Sequence, residues 1–263
     1  MKKLIFTSLL LLSPGLFADE QSDLAMKLSN PVAALISVPV DFIMDENVGP
    51  DDDGELFVIK ATPVLPFSFN DDWNLISRTI ISYVDQDDIP GSGEGESGLS
   101  DIAESIFFSP KAPTESGWIW GVGSIFLLDT ATEDELGAGK WGVGPTAVAL
   151  KQVNGWTFGG LTHYLVDFAG DDDRDDVQQF FLQPFLAYTI EETKTTFALQ
   201  AESTRDIEAN ETGTVAIFHI GQMFKLGSQI MQGRVGFRSW VNETDFGPEG
   251  TTFTARLTFL FPK

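Results

Sequence analysis

Hydrophobic and polar residues alternate with a period of two along much of this chain. Within 251–261, Phe253, Ala255, Leu257, Phe259 and Phe261 share one parity, and Thr252, Thr254, Arg256 and Thr258 share the other. Within 156–168, Trp156, Phe158, Tyr164, Val166 and Phe168 alternate with Thr157, Gly159, His163 and Asp167. Segment 195–205 sets Phe197, Leu199 and Ala201 against Ala198, Gln200, Glu202 and Thr204. Segment 230–241 sets Met231, Val235 and Phe237 against Gln232, Arg234 and Arg238. Successive side chains of a β-strand point to opposite faces, so these are strands with one apolar and one polar face.

Twelve strands are predicted, at 30–44, 55–69, 73–84, 99–109, 118–128, 141–151, 156–168, 177–190, 195–205, 214–225, 230–241 and 251–261. Each is near the length of about 9–11 residues that a tilted membrane strand needs. The first has Pro31 and Pro39 and alternates poorly, so a plug or an arm is the competing reading of that segment. In the third, Arg78 shares its parity with Ile76 and Ile80; in the fourth, Glu104 adjoins an apolar run. Pro63 and Pro184 each remove a ladder donor and suit local irregularities. The parity of His219 leaves its direction open.

The gaps between strands are of two kinds. Every second gap is short, and Asn154-Gly155 marks a tight hairpin, because both residues accept positive φ. The other six gaps, 45–55, 85–96, 129–140, 167–176, 206–211 and 243–249, hold 27 of the 39 acidic residues and only two bases, Lys140 and Arg174. An up-and-down sheet places alternate gaps at opposite ends, so nearly all of the net charge of −23 gathers at one end. Tight turns at one end and long polar loops at the other are the arrangement of an all-β, antiparallel, up-and-down transmembrane β-barrel. Alternation alone does not say which face points inward; a soluble barrel has the reverse arrangement, apolar inside. Two features favour the membrane. Trp73, Trp118, Trp120, Trp141 and Trp156 lie at strand starts, where a ring can sit in the interface. Residues 1–18 also resemble an export signal, with Lys2 and Lys3, an apolar run from Leu4 to Leu12, and a small Ala18. The resulting division is a signal at 1–18, a periplasmic arm at 19–29 and the barrel at 30–263.

No later stretch reaches the roughly 18 apolar residues of a membrane helix. The chain has no cysteine, so closure and burial must hold it without disulfides. Its bases are scattered rather than clustered, which argues against nucleic acid.

Several segments resemble a bacterial outer-membrane family. They are 30–39 (Asn-Pro-Val-Ala-Ala-Leu-Ile-Ser-Val-Pro), 72–79 (Asp-Trp-Asn-Leu-Ile-Ser-Arg-Thr), 107–113 (Phe-Phe-Ser-Pro-Lys-Ala-Pro), 117–123 (Gly-Trp-Ile-Trp-Gly-Val-Gly), 140–146 (Lys-Trp-Gly-Val-Gly-Pro-Thr) and 258–263 (Thr-Phe-Leu-Phe-Pro-Lys). The family is that of outer-membrane "transporter" β-barrels, related to barrels of the meta-cleavage pathway of phenol degradation and sometimes mislabelled neuromedin U. The resemblance implies an outer-membrane barrel of a Gram-negative bacterium that moves small molecules, aromatic or hydrophobic compounds among them. It implies no catalytic residues. The ending Phe-Pro-Lys departs from the usual terminal Phe that assembly machinery reads.

Candidate chemistry is sparse. Residues 137–142 match G-x-G-x-x-G, but an acidic loop precedes them and a β pattern follows, whereas a dinucleotide site needs a strand before and a helix after. His163 and His219 have no neighbouring serine motif, so no nucleophilic triad is expected. Asp51, Asp53, Asp171, Asp173 and Asp175 offer oxygen ligands for weak Ca²⁺ or Mg²⁺ binding, bridging to lipopolysaccharide phosphates; solvated charge is the plainer reading. No other cofactor is expected. The polar parity supplies the candidate pore lining: Arg78, His163, Gln183, Gln200, Glu202, Gln222, Arg234, Arg238 and Arg256, with the last three forming a basic wall facing Glu202. Charged walls set selectivity in pores. The expected function is passive passage of small solutes through a polar lumen, with an acidic mouth that favours cations. The expected partners are outer-membrane lipid and lipopolysaccharide, the solute, and the barrel assembly machinery. Two alternatives stand beside it: a non-conducting structural or surface-binding barrel, and a soluble exported barrel that binds lipid or aromatic compounds.

Overall fold

A computed structural model describes residues 23–49, 53–89, 93–245 and 247–262. The expected export signal and Asp51 lie outside them. The strands are β1 (Ile36–Val48), β2 (Gly54–Ala61), β3 (Val64–Ser68), β4 (Trp73–Asp87), β5 (Gly95–Leu99), β6 (Ile102–Pro110), β7 (Trp118–Leu128), β8 (Lys140–Val153), β9 (Trp156–Gly170), β10 (Gln178–Ile190), β11 (Thr195–Asp206), β12 (Glu211–Leu226), β13 (Gln229–Asn242) and β14 (Thr251–Phe261). All pairings are antiparallel and join strands adjacent along the chain, except that β2 and β3 each pair β1 and β4, and β5 and β6 each pair β4; β1 pairs β14 from Ile36↔Phe261 to Ile43↔Thr254, which closes the sheet. Because β2 with β3, and β5 with β6, each form one broken stave beside β4, the result is a twelve-staved up-and-down barrel.

The breaks have local causes. Pro63 separates β2 from β3, and the freed Thr62 N–H donates instead to Pro39 O at 2.9 Å. The β10–β11 ladder skips from Leu182↔Ser203 to Phe185↔Gln200, across Pro184, which has no N–H to give. The hairpin at Asn154-Gly155 has φ of 49° and 81°, the double positive turn that its sequence predicts.

The direction of alternation, open in the sequence, is set here. On β13 and β14, Val235, Phe237 and Phe253 are more than half exposed, whereas Gln232, Thr254 and Thr258 are at most 2 % exposed. Apolar side chains therefore cover the outside and polar ones line the inside, the reverse of a soluble barrel. Trp118, Trp156 and Tyr188 lie exposed at the short-turn end, where Trp156 packs on Tyr188 with 4.8 Å between ring centroids. Trp73 and Trp120 meet edge to face at 5.7 Å beside them. Glu104 shares the outward parity. Ser77 and Thr79 on β4 satisfy it, donating to its two oxygens at 2.7 and 2.5 Å.

The first strand starts later than the alternation suggests, at Ile36 rather than residue 30. Residues 23–28 form a short helix instead. Leu24, Ala25, Ala33 and Leu35 pack with the inward-facing Met223, Ile230 and Leu260, and Val32 packs with Ile76, Phe107, Val148 and Leu150. Gln152 Nε2 donates to Met26 O at 2.7 Å. The stretch 23–35 thus sits inside the short-turn end of the barrel, so residues 30–35 do not begin the first strand, and the plug weighed against a strand for that segment describes them better. The physical reason is that Leu24, Ala25, Val32, Ala33 and Leu35 follow neither a strand nor a surface pattern; they find burial only within the lumen.

Candidate functional site

The inward face is divided. From β4 and β6 round to β10 it carries apolar clusters, one of Ile76, Phe107, Val148, Leu150 and Leu161, another of Ile125, Leu165 and Val177. The polar lumen expected from the alternation is thus polar over only part of its wall. Leu161 and Leu165 share the parity of His163, and the pleat sends all three inward together. His163 itself stacks on Phe181, with ring centroids 4.7 Å apart.

The charged half is built by β1, β2, β11, β13 and β14, with Arg78 from β4. One cross-strand row carries Lys60, Asp41, Arg256 and Arg234, because β2 pairs β1, β1 pairs β14 and β14 pairs β13 in matching register. Arg256 grips Asp41 through two contacts, Nε to Oδ1 at 2.6 Å and Nη2 to Oδ2 at 3.1 Å. Such a bidentate fork fixes both side chains. Towards the loop end, Arg238 Nη2 meets Asp45 Oδ2 at 3.2 Å, Thr252 donates to Asp45 Oδ1 at 3.1 Å, and the Arg238 guanidinium lies 5.8 Å from the Trp240 ring centroid. Arg256 therefore pairs with Asp41 and Arg238 with Asp45, while Arg234 and Arg256 border one cavity with Glu202 without an ion pair to it among the described residues. Glu202 instead accepts hydrogen bonds from Gln183 Nε2 at 3.0 Å and Gln200 Nε2 at 2.9 Å. Asp41 was missed because its strand alternates poorly around Pro39, and Asp45 because the expected strand stops at 44 and leaves it in the acidic gap, whereas β1 runs on to Val48; their only sequence signal is two acids four residues apart on one parity.

A cavity of about 150 Å³ lies inside the barrel beside the inserted segment. Of the nine residues expected to line a pore, Arg78, Gln183, Gln200, Glu202, Arg234 and Arg256 border it. Arg238 borders a smaller space nearer the loop end, with His219, which is buried and inward. His163 faces inward elsewhere. Gln222 does not line the lumen: it is exposed on the outer face, bonded to Thr195 Oγ1 at 2.7 Å and to Thr193 O at 2.7 Å. Its parity is opposite to that of His219 and Met223, and a Gln at a strand end can reach the wet turn without burial.

At the loop end some acids organise backbone. Asp101 accepts N–H bonds from Thr130, Ala131 and Ala138 at 2.7–3.0 Å, and Asp167 accepts one from Val177 at 2.9 Å. Lys140 reaches Asp176 at 3.2 Å. Asp171 caps its own turn through the Asp173 N–H, while Asp53, Asp173 and Asp175 are exposed. Among the described residues no three His, Cys, Asp or Glu side chains converge as a metal site, so Asp53, Asp171, Asp173 and Asp175 do not form one together.

A closed antiparallel barrel with an apolar, aromatic-edged outer belt and a charged interior is the fold of a transmembrane β-barrel. The structure is similar to the COG4313 outer membrane channel from Pseudomonas putida F1, with a TM-score of 0.64 and 14 % identity over 86 % of this chain and 93 % of that one. It also matches the beta domain of the Bordetella autotransporter BrkA, at a TM-score of 0.49 and 11 % identity over 87 % of this chain and all of that one. The first likeness concerns the fold; the second is too low to add to it. No family model matches the sequence, and no curated protein matches it.

Proposed function

We propose that this protein is an outer-membrane channel that passes small solutes passively through the barrel lumen. The observation that carries the reading is the charged cavity inside a closed twelve-staved barrel: the inward wall keeps solvent-sized space lined by Arg78, Glu202, Arg234 and Arg256 instead of a filled apolar core. The fold shared with an outer membrane channel supports it. Fixed charge along a wet path needs no cofactor and no catalytic residue to act as a filter. In this reading the acidic loops face the outer leaflet and its lipopolysaccharide, the apolar belt meets lipid, and the assembly machinery inserts the chain. The acidic mouth and the basic interior stand in series, so cations gather at the entrance and anions are held within. The resemblance to phenol-degradation barrels adds aromatic or hydrophobic compounds as the solutes to try first.

A second reading has an observation of its own. Residues 23–35 occupy the short-turn end, which favours a non-conducting structural or surface-binding barrel. Planar-bilayer recording of the full-length protein separates the two. Heat-modifiable gel mobility first establishes folding; discrete single-channel steps are then expected. A folded barrel that gives no steps at any applied voltage decides for the second reading.

A further inference from the structure

We infer that the lumen cavity binds a small organic carboxylate with a compact apolar body. The inference names a solute class for the channel reading and rests on that reading for its biological role. Five cationic side chains border the cavity, Lys27, Lys60, Arg78, Arg234 and Arg256, and Glu202 is the one carboxylate that borders it among the described residues. Asp41 neutralises Arg256. Arg234 is 8 % exposed, and its one side-chain hydrogen bond among the described residues is from Nε to Gln232 Oε1 at 2.6 Å. Arg78 makes no ion pair among them. Two guanidiniums thus stand in a partly dehydrated space without an acid of their own. A buried cation is costly until an anion meets it, and the planar guanidinium fork matches a carboxylate.

The chain also makes room for this arrangement. Gly221 faces Arg234 across the β12–β13 pair, and a Cβ there would come within 2.9 Å of the Arg234 Cγ. Glu202 turns its Oε1 to two glutamine donors and makes no ion pair with the arginines among the described residues. Across the barrel from β13 and β14 the cavity has an apolar border, Leu161 of β9 and Phe185 of β10, and Val64 adds to it beside Arg78. A ligand bridging the two sides needs an anionic head and an apolar body. The space of about 150 Å³ equals that of an engineered apolar cavity that takes up benzene, so the body is about one ring in size. A free acyl chain is too long for it, and inorganic phosphate leaves the apolar side unfilled.

Isothermal titration of the detergent-folded full-length protein with benzoate, benzamide and inorganic phosphate tests the site. Benzoate is expected to bind at least tenfold more tightly than either of the other two, and more weakly as salt rises. Arg234→Met and Arg78→Met each lower its affinity at least tenfold, whereas Lys111→Met, at the short-turn surface, leaves it unchanged. Equal binding of benzoate and benzamide, phosphate binding as tight as benzoate, or no benzoate binding overturns the inference, and the wild-type comparison needs no variant to fold. Titration reads binding without flux. A barrel that conducts and does not bind benzoate sinks this inference alone; one that binds benzoate and does not conduct sinks only the channel reading.

Discussion

At the scale of single residues, the interior is governed by which charges have partners. Asp41 is 3 % exposed and sits between Arg256, which it binds through both oxygens, and Lys60, its cross-strand neighbour. Removing one member of a buried ion pair leaves the other charge stranded and typically costs about 3–5 kcal/mol. Asp41→Asn keeps the size and removes the charge, so urea unfolding of the detergent-folded variant should show a loss approaching that range. A loss under about 1 kcal/mol would mean that water, not Asp41, balances Arg256. Glu104 illustrates the same rule on the outside: a carboxylate on the outward parity is tolerated because Ser77 and Thr79 donate to it. The sequence showed Glu104 as an oddity in an apolar run, and only the β4–β6 register brought its donors alongside.

At the scale of elements, the strands were legible and the N-terminal segment was not. Strand 251–261 was readable to the residue because apolar and polar residues alternate from Thr252 to Phe259, and only Leu260 is apolar on the inward parity, where it joins the cluster around the N-terminal segment. Pro63 and Pro184 marked real interruptions, since a missing N–H breaks a ladder wherever it falls. Residues 30–35 were read as strand because nothing in a local pattern distinguishes a buried irregular segment from a poor strand. Ala25 is wholly buried in the cluster that anchors this segment. Placing a carboxylate there forces either burial of an unpaired polar group or release of the segment, and release keeps the barrel's own ladder intact. Ala25→Glu should therefore make the chain cleavable by trypsin at Lys27 while the barrel keeps its heat-modifiable mobility; protection of Lys27 equal to wild type would show that the segment is held by other contacts. If the channel reading holds, the same variant conducts in larger steps.

At the scale of the whole molecule, the outer belt makes the strongest claim. Trp118, Trp141 and Trp156 lie exposed on the outside, with Trp73 and Trp120 partly covered beside them, whereas Trp240 turns inward over Arg238. Tryptophan rings at the two rims of an apolar belt are placed for the membrane interface. In liposomes containing brominated lipid, most of the tryptophan fluorescence should be quenched, and Trp240→Phe should raise the quenched fraction. Unquenched emission from the refolded protein would contradict the belt. The charge distribution also belongs to this scale. The acids crowd the loop end as the alternating gaps required, but the basic interior emerges only when β2, β1, β14 and β13 align their rows.

The sequence by itself determined the number of staves, their antiparallel order, the end that carries the acid and the two parities of each strand. These are local properties: a two-residue period, turn chemistry and charge spacing act over a few positions. Tertiary structure alone decided which parity faces inward, which carboxylate meets which arginine, and where the segment 23–35 goes. Those depend on closure of the sheet, which sets Arg256 beside Asp41 from 215 residues away and encloses a space that no single strand contains.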